Sequence, residues 1–316
     1  MIFIVKNRCL LLGMNMALLF AAIVGCQGPA DDSQNAKPTD IGVSFSDPLA
    51  PFEENDLSRA LLAFIQKAQA SLDIAIHTFD EESVLKALLS ACGRGVRVRV
   101  LVDRHVSPNT PWWLDEADCF RFHRVLPSKK QHGLMHHKFA IRDRQWVWTG
   151  SANWTSTGLF LNANDGIVVR QVELAAKFQR QFDWLFSGGY LADYRIPTDP
   201  GPVQVGPANV RVYFSPDPQI ENEIIRQLNE ARVSVHLAMF YLTNDRLYRA
   251  LLDAMGRGVR VRALLSHRGA GPCDLSEMDE LLALGKGNIV PIQGVLHHKF
   301  AVIDAQRVIL GSANWT

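Results

Sequence analysis

An α/β protein made of one unit written twice is what the sequence predicts, and three observations predict it. Residues 93–99 read GRGVRVR, and residues 256–262 read the same seven letters again. Residues 134–155 (LMHHKFAIRDRQWVWTGSANWT) face residues 295–316 (VLHHKFAVIDAQRVILGSANWT), with 14 of 22 positions identical. Identity at that level over fixed offsets marks an internal duplication. In both copies, moreover, apolar residues recur first at helical and then at strand spacing.

The elements follow in order. Residues 57–69 (LSRALLAFIQKAQ) carry apolar residues at helical spacing, and 72–76 (LDIAI) alternate as a strand does. Residues 83–92 are again helical, Gly93 and Gly95 break that helix, and 96–102 (VRVRVLV) form a strand. The second copy repeats the series over 221–231, 233–239, 245–255 and 259–265. Helix alternating with strand argues for a largely parallel or mixed sheet. Residues 187–209 are rich in Gly and Pro and make the natural boundary between copies.

Composition agrees with a folded pair of domains. Of 316 residues, 47% are hydrophobic and 21% charged, which excludes disorder, collagen and a disulfide-rich miniprotein. A chain of this length tends to split into two cores. With 33 Lys+Arg against 32 Asp+Glu, there is no basic field that would by itself announce a nucleic-acid partner.

The amino terminus reads as a leader outside the fold. Lys6 and Arg8 precede an apolar run from Cys9 to Val24, and no acid occurs before Asp31. That is a signal peptide's layout, and the run is short for a spanning helix. It ends Ile23-Val24-Gly25-Cys26, which resembles the bacterial lipobox. The resemblance implies removal of residues 1–25 and lipidation of Cys26. The protein would then be anchored in the bacterial cell envelope, at the outer membrane if the cell is Gram-negative, since Gln27 follows. Residues 26–42 are expected to be a flexible tether, 43–190 the first unit, 191–208 a linker and 209–316 the second unit. Without residues 1–25 the chain holds 31 Lys+Arg against 32 Asp+Glu. Cys92, Cys119 and Cys273 then remain, and an odd three leaves at least one unpaired.

On a strand, alternate side chains share a face. His136, Lys138 and Ala140 therefore project one way, and His137, Phe139 and Ile141 the other; the same holds for His297 and Lys299 against His298 and Phe300. Phe139 and Ile141 read as core, which turns His136 and Lys138 toward an open surface. A histidine beside a fixed cation, followed by Gly-Ser-x-Asn at a turn, suits an anionic phosphate. A histidine pair holding a metal is the rival, but neighbours on a strand point apart and do not readily share one ion.

His136-x-Lys138-x4-Asp143-x6-Gly150-Ser151-x-Asn153 resembles the signature of the phospholipase D superfamily, and His297-x-Lys299-x4-Asp304-x6-Gly311-Ser312-x-Asn314 resembles it again. The resemblance implies two α-β-α sandwich units about a pseudo-twofold axis, with both motifs in one active site at their interface. One histidine would attack phosphorus to form a phosphohistidine, and the other would protonate the leaving alcohol. It assigns His136 as nucleophile and His297 as general acid/base. Lys138, Lys299, Asn153 and Asn314 would hold the phosphate oxygens, with Ser151 and Ser312 nearby. Asp143 and Asp304 would brace the motifs. The chemistry implied needs no metal or other cofactor, and both motifs lie in cis, so a monomer is expected.

The copies differ after their motifs. The first continues through Asn162-Ala163-Asn164-Asp165, a strand to Arg170 and a helix over 172–186, and the second stops at Thr316. Relatives commonly place an acid in this stretch to orient a histidine, a role that falls to Asp165, with Asn164 as the other alignment. The second unit is expected to show an open sheet edge, as in a piece of a longer product. The leading expectation for substrate is a phospholipid head-group phosphodiester. A metal-independent endonuclease, and a weakly catalytic or non-catalytic binder of phosphorylated ligands, are the alternatives.

Overall fold

A computed structural model of the chain describes residues 1–6, 40–48, 54–104, 119–125, 134–188, 201–266, 287–288 and 295–316. Two mixed sheets carry the two copies. The first comprises β2 (Ile41–Phe45), β3 (Ser71–Ile76), β4 (Arg97–Asp103), β5 (Phe120–Val125), β6 (Lys138–Arg142), β7 (Trp146–Gly150) and β8 (Asp165–Arg170). Their order is β2-β8-β7-β6-β3-β4-β5, with β3, β4 and β5 parallel and the rest antiparallel.

The second sheet comprises β1 (Ile2–Lys6), β9 (Val203–Val205), β10 (Ala208–Tyr213), β11 (Ser234–Met239), β12 (Arg260–Leu265), β13 (Gly287–Asn288), β14 (Lys299–Ile303) and β15 (Arg307–Gly311). It runs β13-β12-β11-β14-β15-β1-β10-β9. From β13 to β10 this repeats the seven strands of the first sheet, with β1 in the place of β8, and β9 is an eighth strand added at the edge. β1 and β8 are each antiparallel to both their neighbours.

The helices form where their caps and apolar faces dictate. α1 (Asp56–Gln66) starts at Asn55, whose side chain accepts from Ser58 N, and α2 (Glu82–Gly93) starts at Glu81, which accepts from Ser83 N. The π-helical turn Thr157–Leu161 and α3 (Val172–Phe186) follow in the first unit. α4 (Gln219–Asn229) and α5 (Asp245–Gly256) complete the second; Asn244 caps the latter. Helices α1 and α2 cover the outer face of the first sheet, and α4 and α5 that of the second.

The inner faces meet in a shared core. Phe139, Ile141 and Val169 of the first sheet, Val210, Val302 and Leu310 of the second, and Leu174, Phe178 and Phe182 of α3 belong to one buried cluster. Phe178 is its hinge, with ring centroids 5.1 Å from Phe139 and 5.1 Å from Phe214, so it touches both units.

Three expectations are corrected here. Residues 1–25 do not lie wholly outside the fold, because Ile2–Lys6 forms a central strand. Four consecutive apolar residues, Ile2 to Val5, suit a strand buried on both faces, and such a run reads like the head of a leader. The second sheet accordingly has no open edge at the position of β8. Finally, β2 begins inside the expected tether, and β9 lies in the expected linker and pairs with β10. Residues 7–39, with the apolar run and Cys26, lie outside the described residues, as does Cys273. Cys92 and Cys119 form a disulfide that ties α2 to the start of β5, a pairing the sequence left open.

Candidate active site

Each motif is a strand hairpin, and the hairpin explains its spacing. β6 and β7 are antiparallel, so the start of one and the end of the other lie side by side. That places His136 and Lys138 beside Gly150, Ser151 and Asn153. The far end turns at Asp143 and Arg144, both at positive φ, 52° and 55°. The Asp143 carboxylate accepts from Gln69, Ala70 and Ser71 N–H at 2.7–3.2 Å. In the second unit Asp304 accepts from Arg232, Val233 and Ser234 N–H at 2.7–3.1 Å. Burial works to raise the Asp304 carboxyl, and these amides with Arg307 more than offset it, holding the group below its ordinary value. Both aspartates sit at the end of the hairpin away from the histidines.

Glycine at the motif's turn is a packing requirement. A Cβ at Gly150 would overlap the Asp165 carbonyl oxygen, and one at Gly311 would lie 2.6 Å from the Met1 carbonyl oxygen. Ser151, expected near the phosphate, has its hydroxyl committed: it donates to Asn164 Oδ1 at 2.7 Å and accepts from Asp165 N–H at 2.9 Å. Ser312 Oγ and Asn314 Oδ1 are buried and have no protein partner among the described residues.

The lysines are not on an open surface, as strand alternation alone had indicated. Lys138 and Lys299 are 0% and 1% exposed, because the strand ends of one unit are roofed by the other. Each ammonium donates to the carbonyl of its own motif histidine, Lys138 to His136 O at 3.2 Å and Lys299 to His297 O at 2.7 Å. The opposite faces behave as expected: His137 is buried among Phe139 and Phe214.

The units are stitched together beside the histidines. Ala163 N–H donates to Val295 O at 3.0 Å, and His297 N–H donates to Ala163 O at 2.8 Å. Asn164 and Asp165 are neighbours and point opposite ways, as do His297 and His298. Asn164 Oδ1 therefore meets His297 Nδ1 at 2.8 Å, and Asp165 Oδ1 meets His298 Nδ1 at 2.8 Å. The acid expected to orient a motif histidine orients its neighbour, and an amide takes the motif histidine.

Two residues beside the histidines escaped sequence reasoning. The His77 ring lies 4.6 Å from His136, and the Phe240 ring 4.8 Å from His297. They are equivalent positions at the offset of 163 that already aligned their strands, so the repeat held the signal.

The two motifs act on each other electrostatically. Burial lowers His136 well below its ordinary value, and Lys138, His77, Lys299 and the Met1 amine lower it further. His297 is lowered likewise by burial, then Lys299, Lys138 and His298, against a backbone hydrogen bond at Ser151 that raises it. Burial and then Lys299 push Lys138 well down, and burial takes Lys299 to about 7 against the pull of Asp165. His77 falls to about 3 through burial and Lys138. Cationic groups crowd a dry site, and an anion is what would relieve them.

One consequence is measurable. Dimethyl phosphate, a monoanion across the range, should bind more weakly as pH rises through about 7. Below that value the Lys299 ammonium is already present; above it, binding must recapture a proton, costing up to about tenfold in affinity per pH unit. Calorimetry in buffers of different ionisation enthalpy would read the proton uptake, and an affinity flat from about pH 6 to 9 would contradict this electrostatic picture.

With this geometry in view, the likeness to known proteins is specific. The family described as cardiolipin synthase, PLD-like domain, matches residues 61–186 and 224–316, well over half of the chain. The chain belongs to this family. Among relatives of this PLD-like chain, mitochondrial cardiolipin hydrolase of Xenopus tropicalis is 32% identical over 145 residues, 46% of this chain and 67% of that protein. Cardiolipin synthase A of Pectobacterium atrosepticum is 23% identical over 296 residues, 82% of this chain and 60% of the synthase. The chain thus spans roughly three fifths to two thirds of the length of these relatives. Phosphatidylserine synthase of Haemophilus influenzae Rd KW20 shares the PLD-like fold, with a TM-score of 0.61 and 12% identity over 85% of this chain and 82% of that one.

Proposed function

We propose that the protein is a phospholipase D-type phosphodiesterase that hydrolyses or transfers phospholipid head groups through a covalent phosphohistidine. The observation that carries this reading is the convergence of two histidines and two buried lysines, one pair from each unit, within electrostatic reach of one another. Lysine ammoniums so placed stabilise charge that develops on phosphate oxygens, and a dry site strengthens them. Asn153 and Asn314 would hold the remaining oxygens through their side-chain N–H groups. One imidazole supplies the lone pair and the other the proton for the leaving alcohol. Both motifs lie in one chain, so a monomer suffices. The names of the relatives support a lipid substrate.

The test is release of head-group alcohol from mixed phospholipid vesicles in EDTA, beside a His136→Ala control. Release that vanishes in the control is expected. Cleavage of plasmid DNA without lipid turnover would move the substrate to nucleic acid, and binding without turnover of either would leave a non-catalytic binder.

The same reading anchors the protein by lipid at Cys26 in the bacterial envelope. Lys6, Arg8, the apolar run and Gly25-Cys26 support it. Processing before Cys26 would withdraw β1, leaving β10 and β15 unpaired along that edge. Cys26→Ser should therefore lose radiolabelled palmitate, keep its leader, and unfold at higher urea than the processed chain. The difference should be several kcal/mol, since Ile2, Phe3, Ile4 and Val5 are buried side chains worth about 1.5–3 kcal/mol each. Equal urea midpoints would show that β1 contributes nothing to the folded state.

A further inference from the structure

A turn that belongs to neither motif runs between them. After Asn153 the chain passes through the π-helical turn Thr157–Leu161 before it reaches Asn164, which meets His297 across the boundary. The Asn162 N–H closes the turn on the Thr157 carbonyl at 3.0 Å, an i→i+5 bond. Its two ends are pinned to different units. At the start, Ser156 Oγ donates to the Glu81 carboxylate at 2.6 Å, and Glu81 caps α2 of the first unit. At the end, Asn162 Oδ1 accepts from Val295 N–H at 3.1 Å, two residues before His297.

Gly158 is where this turn bears on the site. Its N–H donates to Thr155 Oγ1 at 2.9 Å, and its carbonyl accepts from Asn164 Nδ2 at 2.8 Å. The second bond fixes which way the Asn164 amide points. Oδ1 is thereby turned to Ser151 Oγ at 2.7 Å and to His297 Nδ1 at 2.8 Å. An amide oxygen only accepts, so Nδ1 carries a proton. Nε2 is then the nitrogen that gains and loses one, in whichever step the ring takes part.

The turn also has no room to move toward the first motif. A Cβ at Gly158 would lie 2.5 Å from the Asn153 carbonyl oxygen and 3.0 Å from Thr155 Oγ1. The nearer obstacle is backbone, which cannot swing aside as the end of a flexible side chain does. The φ of Gly158 lies outside the left-handed region, so contact alone, and not backbone strain, refuses a methyl group there.

We propose that Gly158, which lies outside both motifs, is a positioning residue of the site. Its close approach to Asn153 sets its carbonyl where it orients the Asn164 amide, and through that amide it fixes the proton of His297 on Nδ1. The kinetic consequence rests on the phosphodiesterase reading above; the tautomer does not.

The experiment uses the full chain with ring-15N-labelled histidine, read by long-range proton–nitrogen correlation at neutral pH. The His297 signals are identified by their loss in His297→Gln. Wild type, which needs no variant to fold, should show His297 protonated at Nδ1. Gly158→Ala should give a mixture of both tautomers, because the displaced carbonyl no longer orients the amide. His123, on the edge strand β5, should keep its signals. If Gly158→Ala fails to fold, Thr155→Val removes the acceptor of the Gly158 N–H without adding bulk, and the same mixture is expected. With bis(4-nitrophenyl) phosphate as substrate, Gly158→Ala should lower kcat/KM about ten- to a hundredfold. Added to Asn164→Ala, it should cost less than about threefold more, since residues that act through one another are not additive.

A wild-type His297 protonated at Nε2 would overturn the inference, and so would a pure Nδ1 tautomer in the folded variant. Losses that add in full with Asn164→Ala would show that Gly158 acts by another route. No turnover of the diester by wild type would count against the phosphodiesterase reading, and the tautomer measurement would still decide the role of Gly158.

Discussion

His136→Ala and His297→Ala are each expected to lower head-group release from phospholipid vesicles by at least about 10⁴-fold, because groups acting as a unit fail together when either is removed. His137→Ala, one residue away, should lose activity only as far as it loses stability. The reason is the strand: His137 lies on the opposite face, buried between Phe139 and Phe214 and 3.4 Å from Gln181 Nε2. His298 is likewise turned from the site and engaged by Asp165. Equal, small losses at all four histidines would sink the mechanism, since the faces of the two strands would then make no difference. Measuring circular dichroism and urea midpoints beside the rates separates the two causes.

Phe178→Ala should produce the largest loss of stability from a single core position, about 3–5 kcal/mol. The ring is fully buried between Phe139 of the first unit and Phe214 of the second. Its removal leaves a cavity where the two sheets share their core. The two motifs are joined across that same boundary by Asn164 on His297 and Ala163 on Val295. Activity should therefore fall further than the folded fraction explains, with the excess in kcat. A variant with full activity at temperatures where it remains folded would show that α3 packing does not hold the two motifs in register. Denaturation followed by both far-UV signal and turnover would decide between these results.

Much of the fold was legible because the chain states it twice. Helix and strand spacing located α1 through α5 to within a few residues, and the repeated His-x-Lys hairpin picked out strand ends that the structure brings together. Alternation also separated His136 from His137 correctly. It failed on exposure: periodicity reports which face a side chain takes, and does not report whether another unit covers that face. Lys138 and Lys299 are buried for that reason. The partner of His297 was ambiguous for a related cause. Asn164 and Asp165 are consecutive, so they address opposite sides, and which of them meets the motif histidine depends on how the units dock.

By itself, then, the sequence determined the duplicated α/β units, the two motifs and their spacing, and the glycine that each hairpin requires. Those are local matters of period, turn and backbone approach. Only the tertiary structure decided that the lysines are desolvated, that an amide rather than an acid meets His297, that His77 and Phe240 lie beside the two motif histidines, and that Ile2–Lys6 fills a strand position. Each of these depends on contacts between segments 70 to 310 residues apart, or between the two units, and no periodicity along the chain encodes a docking geometry.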